Sequence, residues 1–240
     1  MLDKETRHYI RKVLRLGEGA PVLLFDGLGR EAEGVIEHLS EKEGRIKVLG
    51  VWSVPQDSPS ITLAQSLPKS GKMDLVLQKA TELGVCRIIP FLSARSIARP
   101  EAGKSFDRRE RWQKIVIEAA RQCRRAHIPE GGRIASFSEM AREAPANAIR
   151  IILWEGEMST GMKVILQNNS AQHAVAYFIV IGPEGGFTEE EIREARDQGF
   201  LTAHLGRHIL RTETAAIAAI IVIQYEVGTF FGPGGGEPRK

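Results

Sequence analysis

The sequence lacks the features that mark metalloproteins, membrane proteins and secreted proteins. Its 240 residues include only two cysteines, Cys86 and Cys123, and neither these nor the six histidines have metal-ligand spacing. The longest apolar run, from Ala215 to Ile223, is much shorter than the roughly 20 residues that span a bilayer. The N-terminus has neither the apolar core nor the small-residue cleavage site of a signal peptide. We therefore expect a cytoplasmic protein with reduced thiols, no metal site and no membrane span.

Common nucleotide and hydrolase motifs are also missing. The segment "PKSGKM" has Ser66 where a phosphate-binding loop needs its first glycine, and Met73 where that loop needs serine or threonine. The glycines of "DGLGREAEG" have the wrong spacing for the dinucleotide-binding fingerprint and lie among hairpin signals. No nucleophile-elbow serine and no local grouping of His, Asp and Ser is present. Neither glycine-containing segment is therefore interpreted as a nucleotide site.

The residues that are present indicate two domains. With 42% hydrophobic residues, the chain can form one large core, or a large and a small one. Short segments separated by glycine-containing turns, from "PVLLFDG" to "SITLAQSL", favour a small β-barrel over residues 1–68. Ahead of them, "RHYIRKVLRL" predicts a short helix with basic residues outside and Tyr9, Ile10, Val13, Leu14 and Leu16 inside.

After "LPKSGK" the pattern changes to helices and strands in alternation. The helical segments include "KMDLVLQKATELGV" and "DRRERWQKIVIEAARQCRR", and the strands include "CRIIPFL", "IRIILWE" and "AYFIVIG". This alternation predicts a parallel α/β sheet over residues 73–231. The domain boundary is then expected between Pro68 and Lys72, and residues 232–240 form a glycine- and proline-rich tail.

Three segments follow strands of this second domain and are candidates for one ligand pocket: "ILWEG", "IGPEGG" and "LGRHILRTETA". In open α/β sheets, ligands bind beyond the carboxyl ends of the strands. A glycine-rich turn before a helix usually suggests phosphate. Here, however, Thr188 and Glu191 form the pattern of a capping box, which occupies the helical N–H groups, and the nearby glutamates repel an anion. A neutral or cationic ligand is expected; tight turns alone are the structural alternative.

Charge is distributed unevenly along the chain. The net charge is only +3, yet the stretch from Arg95 to Arg125 holds ten Lys or Arg against four Asp or Glu. That local excess would suit several phosphates of a nucleic acid. A solvated helix face with interleaved charges is the alternative interpretation.

In five motifs taken together, the chain resembles the bacterial family of small-subunit (16S) ribosomal RNA uridine-N3 methyltransferases. The motifs are "RHYIRKVLRL", "LQKATELGV", "LWE", "IGPEGGFTEEEI" and "LGRHILRTETAAIAAI", in this order over nearly the whole chain. The resemblance implies a PUA-like β-barrel followed by a SPOUT methyltransferase domain whose C-terminal part forms a deep trefoil knot. It also implies a homodimer that acts on small-subunit ribosomal RNA or the assembled 30S subunit.

The resemblance further implies that S-adenosylmethionine binds in the knot and that Arg211 and Glu213 lie at its reactive edge. The implied cofactor residues are Leu153, Glu155, Gly182, Pro183, Glu184, Gly185, Gly186, Leu205, Gly206, Ile209, Leu210, Thr214 and Ala215. The RNA-binding candidates are Arg7, Arg11 and Arg15 from the N-terminal basic helix, and Arg95, Arg124 and Arg125 from the basic stretch. One departure from the family is His208, which stands where arginine is usual, with Arg207 just before it.

The implied reaction is a single transfer of the sulfonium methyl group to N3 of uridine, without a metal. Arg211 would stabilise the anion formed when N3 loses its proton, and either Glu213 or water would accept that proton. Two other hypotheses stay open. In the first, the methyl group goes to another RNA atom, such as a ribose 2′-oxygen. In the second, the chain is an RNA-binding assembly factor that does not catalyse methyl transfer.

Overall fold

The computed structural model describes residues 1–69, 71–97, 105–168 and 176–229. The predicted tail at 232–240 lies outside these residues. Backbone contacts divide the chain into two compact units. The first is Met1–Gln56 with Arg125–His127, and the second is Asp57–Arg124 with Ile128–Lys240.

The first unit begins with the predicted basic helix. Helix α1 (Lys4–His8) is capped by Asp3, whose Oδ1 accepts the N–H of Thr6 at 2.8 Å, and continues as a π-helical turn, Tyr9–Val13. Of the five apolar positions predicted to face inward, only Ile10 is fully buried. Three antiparallel strands follow in the order β1-β2-β3: β1 (Pro21–Phe25), β2 (Arg30–Leu39) and β3 (Gly44–Ser53).

The prediction that "SITLAQSL" belongs to the N-terminal domain is wrong. This segment forms β4 (Ser60–Ser66), which pairs in parallel with two strands of the second unit. Its last four residues are all buried, which is typical of a strand covered on both faces and not of a half-exposed barrel strand. The boundary therefore lies between Gln56 and Asp57, upstream of the predicted position at Pro68 to Lys72.

A short segment after the third helix also joins the first unit. The N–H of Gly29 donates to the carbonyl oxygen of Ala126 at 3.2 Å, and Nε2 of His127 lies 2.8 Å from the carbonyl oxygen of Val54. The sequence predicted an uninterrupted second domain here. The sequence has no local pattern that marks Arg125–His127 as part of the first unit.

The second unit has the predicted parallel α/β architecture. Its seven-stranded sheet has the order β10-β8-β9-β4-β5-β6, with β7 also beside β5, and every pairing is parallel. The remaining elements are α2 (Lys72–Glu82), β5 (Arg87–Leu92), α3 (Ser105–Cys123), β6 (Glu130–Gly131), β7 (Ala135–Ser136), α4 (Phe137–Arg142), β8 (Ala148–Leu153), α5 (Met162–Asn168), β9 (Ala176–Ile181), α6 (Glu189–Asp197), β10 (Leu201–Ala203) and α7 (Thr212–Glu226).

Helices cover both faces of this sheet. On one face, Tyr177, Ile179 and Ile181 of β9 belong to a core cluster with residues of α2, α5 and α7. On the other face, Phe178 and Val180 pack with residues of α4 and α6. Alternate residues of one strand thus enter different cores, which explains why β9 is apolar at every position. Among the described residues, none of the helices combines the length and apolarity needed to cross a bilayer.

Candidate active site

The predicted ligand loops leave the same edge of the sheet. Leu153 at the end of β8 is paired in register with Ile181 at the end of β9, and Ile181 is paired with Gln65 near the end of β4. Ala203 at the end of β10 lies beside Leu153. The carboxyl ends of four parallel strands therefore meet, and the loops that follow them start side by side.

Gly186 and Glu155 bring the β8 and β9 loops into contact. Gly186 has a left-handed backbone with φ +69°, and its N–H donates to the carbonyl oxygen of Pro183 at 3.0 Å. A Cβ atom at this position would lie 1.7 Å from Oε1 of Glu155. The backbone conformation thus favours glycine here, whereas the carboxylate is the end of a flexible, exposed side chain that can move aside.

The other two glycines of the turn also face protein. A Cβ atom on Gly182 would lie 2.9 Å from Cε2 of Phe187, and one on Gly185 would lie 3.2 Å from Cβ of Arg95. The sequence suggested that these glycines leave room for a ligand. In the structure, the direction of each missing side chain points to a neighbouring residue, so the glycines permit close packing of the turn itself.

The capping box predicted at the start of α6 is present. The hydroxyl of Thr188 accepts the N–H of Glu191 at 3.2 Å, and Oε2 of Glu191 accepts the N–H of Thr188 at 3.0 Å. The buried carboxylate also accepts the hydroxyl of Ser93 at 3.1 Å and the N–H of Ala94 at 2.9 Å. These bonds tie the loop after β5 to the glycine-rich turn. On that loop, Arg95 donates to the carbonyl oxygen of Gly185 at 3.2 Å.

A buried polar chain connects the start of α7 to the same turn. The hydroxyl of Thr212 donates to the carbonyl oxygen of Gly182 at 2.6 Å and accepts Nε2 of Gln65 at 2.9 Å. Gln65 is completely buried in β4. Sequence analysis missed both residues, although a glutamine inside the apolar segment "ITLAQSL" was a signal that a polar partner would be needed.

Lys72 is a third residue that sequence analysis missed. Its Nζ lies 3.1 Å from Oε1 of Glu184 and 3.2 Å from Oε2 of Glu213, so it joins α2, the glycine-rich turn and α7. Hydrogen bonds to Glu184 and then to Glu213 raise the pKa of Lys72 above its ordinary value. Burial raises the pKa of Glu184, but hydrogen bonds from its own N–H, the N–H of Lys69 and Lys72 outweigh burial and lower that pKa.

The two proposed catalytic residues differ in exposure. The side chain of Glu213 is 12% exposed and held by Lys72, whereas Arg211 is exposed at the N-cap position of α7. The loop before them carries Gly206, with φ +116°, and Ile209, which is 87% exposed. Leu205, Leu210 and Ala215 are half-buried, and Thr214 is exposed.

The arginines assigned to RNA are spread over both units. Arg7 is partly buried and donates to the carbonyl oxygen of Leu2 at 2.6 Å, while Arg11 pairs with Glu41 at 3.5 Å. Arg15, Arg95 and Arg124 are exposed, and Arg125 is half-buried. Arg7 therefore has a packing role within the first unit, and Arg95 ties its loop to the glycine-rich turn.

The donor set fits S-adenosylmethionine in two respects. Carboxylates of Glu155, Glu184 and Glu213 stand around the glycine-rich turn, and these groups suit a ligand with a sulfonium and an amino group. The exposed Ile209 supplies an apolar surface of the kind that the adenine ring prefers. No group of His, Cys, Asp or Glu suited to a metal ion occurs within the described part of the chain.

Two family models match the chain. The model of an RNA methyltransferase domain matches residues 56–224, and the model of an RNA methyltransferase PUA domain matches residues 2–49. Both limits agree with the boundary between the two structural units. Together with the parallel sheet, they define the class as RNA methyltransferases with an N-terminal PUA-like domain, as the sequence predicted.

Individual relatives narrow this class. The Ribosomal RNA small subunit methyltransferase E of Bacillus subtilis (strain 168) is 32% identical over 228 residues, which cover 92% of this chain and 88% of that protein. The crystal structure of the protein of the same name from Neisseria gonorrhoeae, bound to S-adenosyl methionine, has a TM-score of 0.83 at 32% identity, covering 93% of this chain and 90% of that one. A methyltransferase structure from Legionella pneumophila with bound cofactor SAM has a TM-score of 0.83 at 35% identity, covering 93% and 90%. The chain belongs to the ribosomal RNA small subunit methyltransferase E family, which confirms the family predicted from the motifs.

Proposed function

We propose that this protein transfers the methyl group of S-adenosylmethionine to N3 of a uridine in small-subunit ribosomal RNA, in the cytoplasm. The observation that carries the proposal is the convergence of the β8, β9 and β10 loops and the start of α7 around one glycine-rich turn. The relatives support it, because two of the similar structures hold this cofactor and the curated relatives are named for small-subunit RNA.

The cofactor would bind at this turn. The loop residues Glu155, Glu184 and Ile209 provide charge and apolar surface, while the turn and Leu205 provide backbone groups. When bound, S-adenosylmethionine supplies an electrophilic methyl group on a positively charged sulfur. Holding the acceptor nitrogen in line with that methyl group is the largest contribution that the protein can make, of roughly 7–11 kcal/mol in well-oriented systems.

The acceptor nitrogen must lose its proton as the new N–C bond forms. Arg211 is exposed at the start of α7, and we expect it to stabilise the uracil anion. Glu213 lies two residues later, with its carboxylate held by Lys72. Glu213 either accepts the proton directly or orients a water that does so. Glu213→Gln should lower kcat in both cases, whereas Arg211→Ala should also weaken RNA binding.

RNA would be held by exposed basic residues. We expect Arg11→Ala with Arg15→Ala to weaken binding of small-subunit RNA and to reduce the salt dependence of that binding, because fewer counterions are released. The affinity for S-adenosylmethionine should not change. Filter binding over a range of salt concentrations measures the effect, and Lys47→Ala on β3 is a matched surface control. Full RNA affinity of the double variant at every salt concentration would assign the contact to the Arg95 to Arg125 stretch instead.

A trefoil knot and a homodimer complete the proposal. The position of β4 inside the sheet and the bond from Thr212 to the β9 turn are consistent with a threaded C-terminal part. The middle of helix α7, Ala215 to Ile223, is apolar, and Ala218 and Ile221 form a stripe that is only partly covered within the described chain. A second copy would cover this stripe. Light scattering should therefore give the mass of a dimer, and Ile221→Glu should give a monomer.

Product analysis tests the reaction. Purified protein is incubated with S-adenosylmethionine and either small-subunit RNA or 30S subunits that lack the modification, and the RNA is digested to nucleosides for mass spectrometry. We expect 3-methyluridine, and none with Arg211→Ala. A methyl group on the ribose would show that the acceptor atom is a 2′-oxygen. No product with either substrate, together with no cofactor binding by calorimetry, would favour a binding factor without catalysis.

A further inference from the structure

A cavity beside the candidate active site combines an aromatic ring with several cations. It has a volume of about 210 Å³ and lies between the loop after β4, the start of α2 and helix α3. This volume is below the roughly 300–1,000 Å³ of pockets that enclose drug-sized ligands, so it suits a single planar group. The lining residues used below are Pro68, Lys69, Asp74, Arg108, Arg111 and Trp112.

Trp112 forms the aromatic part of the wall. The ring is half-buried, since part of it packs against the core cluster of α2 and β5 while the rest lines the cavity. Pro68, which is buried, adds a second apolar surface. A rigid aromatic ring at the wall of a small cavity is the arrangement on which an unpaired base stacks in single-stranded RNA recognition.

The polar part of the wall is mainly positive. Lys69, Arg108 and Arg111 line the cavity together with one carboxylate, Asp74, which pairs with Arg111. Lys69 and Arg108 add two further positive charges. An aromatic surface edged by cations matches the chemistry of one RNA nucleotide, with a base for the ring and phosphate for the cations.

Lys69 connects this cavity to the candidate active site. Its side chain lines the cavity, while its backbone N–H donates to Oε1 of Glu184 at 3.1 Å. Lys72, one turn further on, pairs with the same glutamate and with Glu213. A nucleotide in the cavity would thus sit next to the residues proposed to act on the target uridine.

We infer that this cavity binds a single nucleotide of the substrate RNA, its base stacked on Trp112 and its phosphate held by Lys69 and Arg108. The inference rests on the proposed function, because it names a part of the RNA that the same site recognises. Its test measures RNA binding directly and needs no methyl transfer, so its failure is separate from failure of the proposed reaction.

Fluorescence of Trp112 reports the stacking. In a Trp52→Phe, Trp154→Phe background, Trp112 is the remaining tryptophan of the chain. Titration with hexauridylate should quench its emission saturably, whereas inorganic phosphate should not. If an oligoglutamate of equal charge quenched the emission in the same way, the ligand would be an acidic peptide, and the inference would be overturned.

The affinities of variants for small-subunit RNA separate the contribution of stacking from the contribution of charge. Trp112→Leu should weaken binding by roughly 5- to 100-fold, the range for loss of one stacked base, and Trp112→Phe should retain most of the affinity. Lys69→Ala with Arg108→Ala should reduce the slope of log affinity against log salt by about 0.7 for each charge. Lys47→Ala on β3, outside both the cavity wall and the Arg95 to Arg125 stretch, is the matched control.

Folding of each variant is checked by its affinity for S-adenosylmethionine, which should match that of the wild type. If Trp112→Leu lost cofactor binding, the double variant Lys69→Ala, Arg108→Ala and the quenching of Trp112 would still decide the matter. No saturable quenching by hexauridylate, or an effect of the double variant on RNA affinity no larger than that of Lys47→Ala, would show that the cavity takes no nucleotide.

Discussion

Replacement of Gly186 by alanine should disrupt the glycine-rich turn through two separable effects. The first is backbone strain, because φ is +69° and a residue with a Cβ atom pays roughly 1–2 kcal/mol in the left-handed region. The second is overlap, since the new Cβ atom would lie 1.7 Å from Oε1 of Glu155 and 2.7 Å from its Cδ. The carboxylate must therefore leave its position.

A double-mutant cycle measures the second effect alone. Glu155→Ala removes the three atoms that the new Cβ would meet, which are Oε1, Cδ and Oε2. In that background, Gly186→Ala should cost only the strain. Because the carboxylate of the exposed Glu155 can move into solvent, the coupling in unfolding free energy should be no more than about 0.5 kcal/mol, and the overlap should show mainly in cofactor affinity. Gly228→Ala supplies the reference for strain, because Gly228 has φ +76° and open space where a Cβ would be.

Two measurements follow the cycle. Urea unfolding gives the loss of stability, and calorimetry gives the affinity for S-adenosylmethionine, which should fall about tenfold or more when Glu155 is displaced, the equivalent of about 1.4 kcal/mol. The reasoning is refuted if Gly186→Ala lowers the affinity for S-adenosylmethionine equally with and without Glu155, or if it lowers that affinity no more than Gly228→Ala does.

Three further variants test other contacts of the second unit. Lys72→Met should raise the affinity for S-adenosylmethionine relative to the affinity for the neutral S-adenosylhomocysteine, because two carboxylates lose their counter-charge. Lys72→Arg should restore the wild-type ratio of the two affinities. A ratio that is unchanged in both variants would contradict the interpretation. Thr212→Val should destabilise the protein by about 1–3 kcal/mol, since it leaves buried polar groups unpaired, whereas the exposed Thr214→Val should have little effect on urea unfolding. Hydrogen bonds, first from the Ser159 hydroxyl and then from the Thr202 hydroxyl, lower the pKa of Glu157 to about 2 from 4.5. The folded-state pKa lies below the unfolded one, so this stabilisation is present above about pH 4.5 and is lost as pH falls towards about 2. Glu157→Gln should therefore show a smaller loss of stability over that window; the same loss would contradict the assignment.

Features encoded within a few residues could be predicted from the sequence. The capping box of Thr188 and Glu191 joins positions three apart, so its pattern is complete in the local sequence. The alternation of helices and strands after Lys72 was likewise sufficient to predict a parallel sheet, because each element carries its own periodicity. The strand-end loops then follow, since parallel strands place their carboxyl ends at one edge.

Membership of β4 in the parallel sheet depended on its neighbours in space. The segment "SITLAQSL" has the length and composition of a strand in either domain, and it precedes the first helix of the alternating pattern. Its central place in the sheet results from pairing with β5 and β9, one of which lies more than a hundred residues later, and helices on both faces of the sheet then bury it. Short apolar strands carry no local signal of which sheet will include them.

The polar contacts of the site depended on tertiary structure for the same reason. Gln65 and Thr212 are 147 positions apart, and the N–H of Lys69 meets Glu184 across 115 positions. In the sequence, Lys72 stands in a segment that fails as a phosphate-binding loop. Its two carboxylate partners come only from tertiary packing, Glu213 from α7 and Glu184 from the glycine-rich turn. The local sequence specifies which residues cap, turn or alternate, whereas long-range ion pairs and buried hydrogen bonds arise only when the order of the strands brings distant segments together.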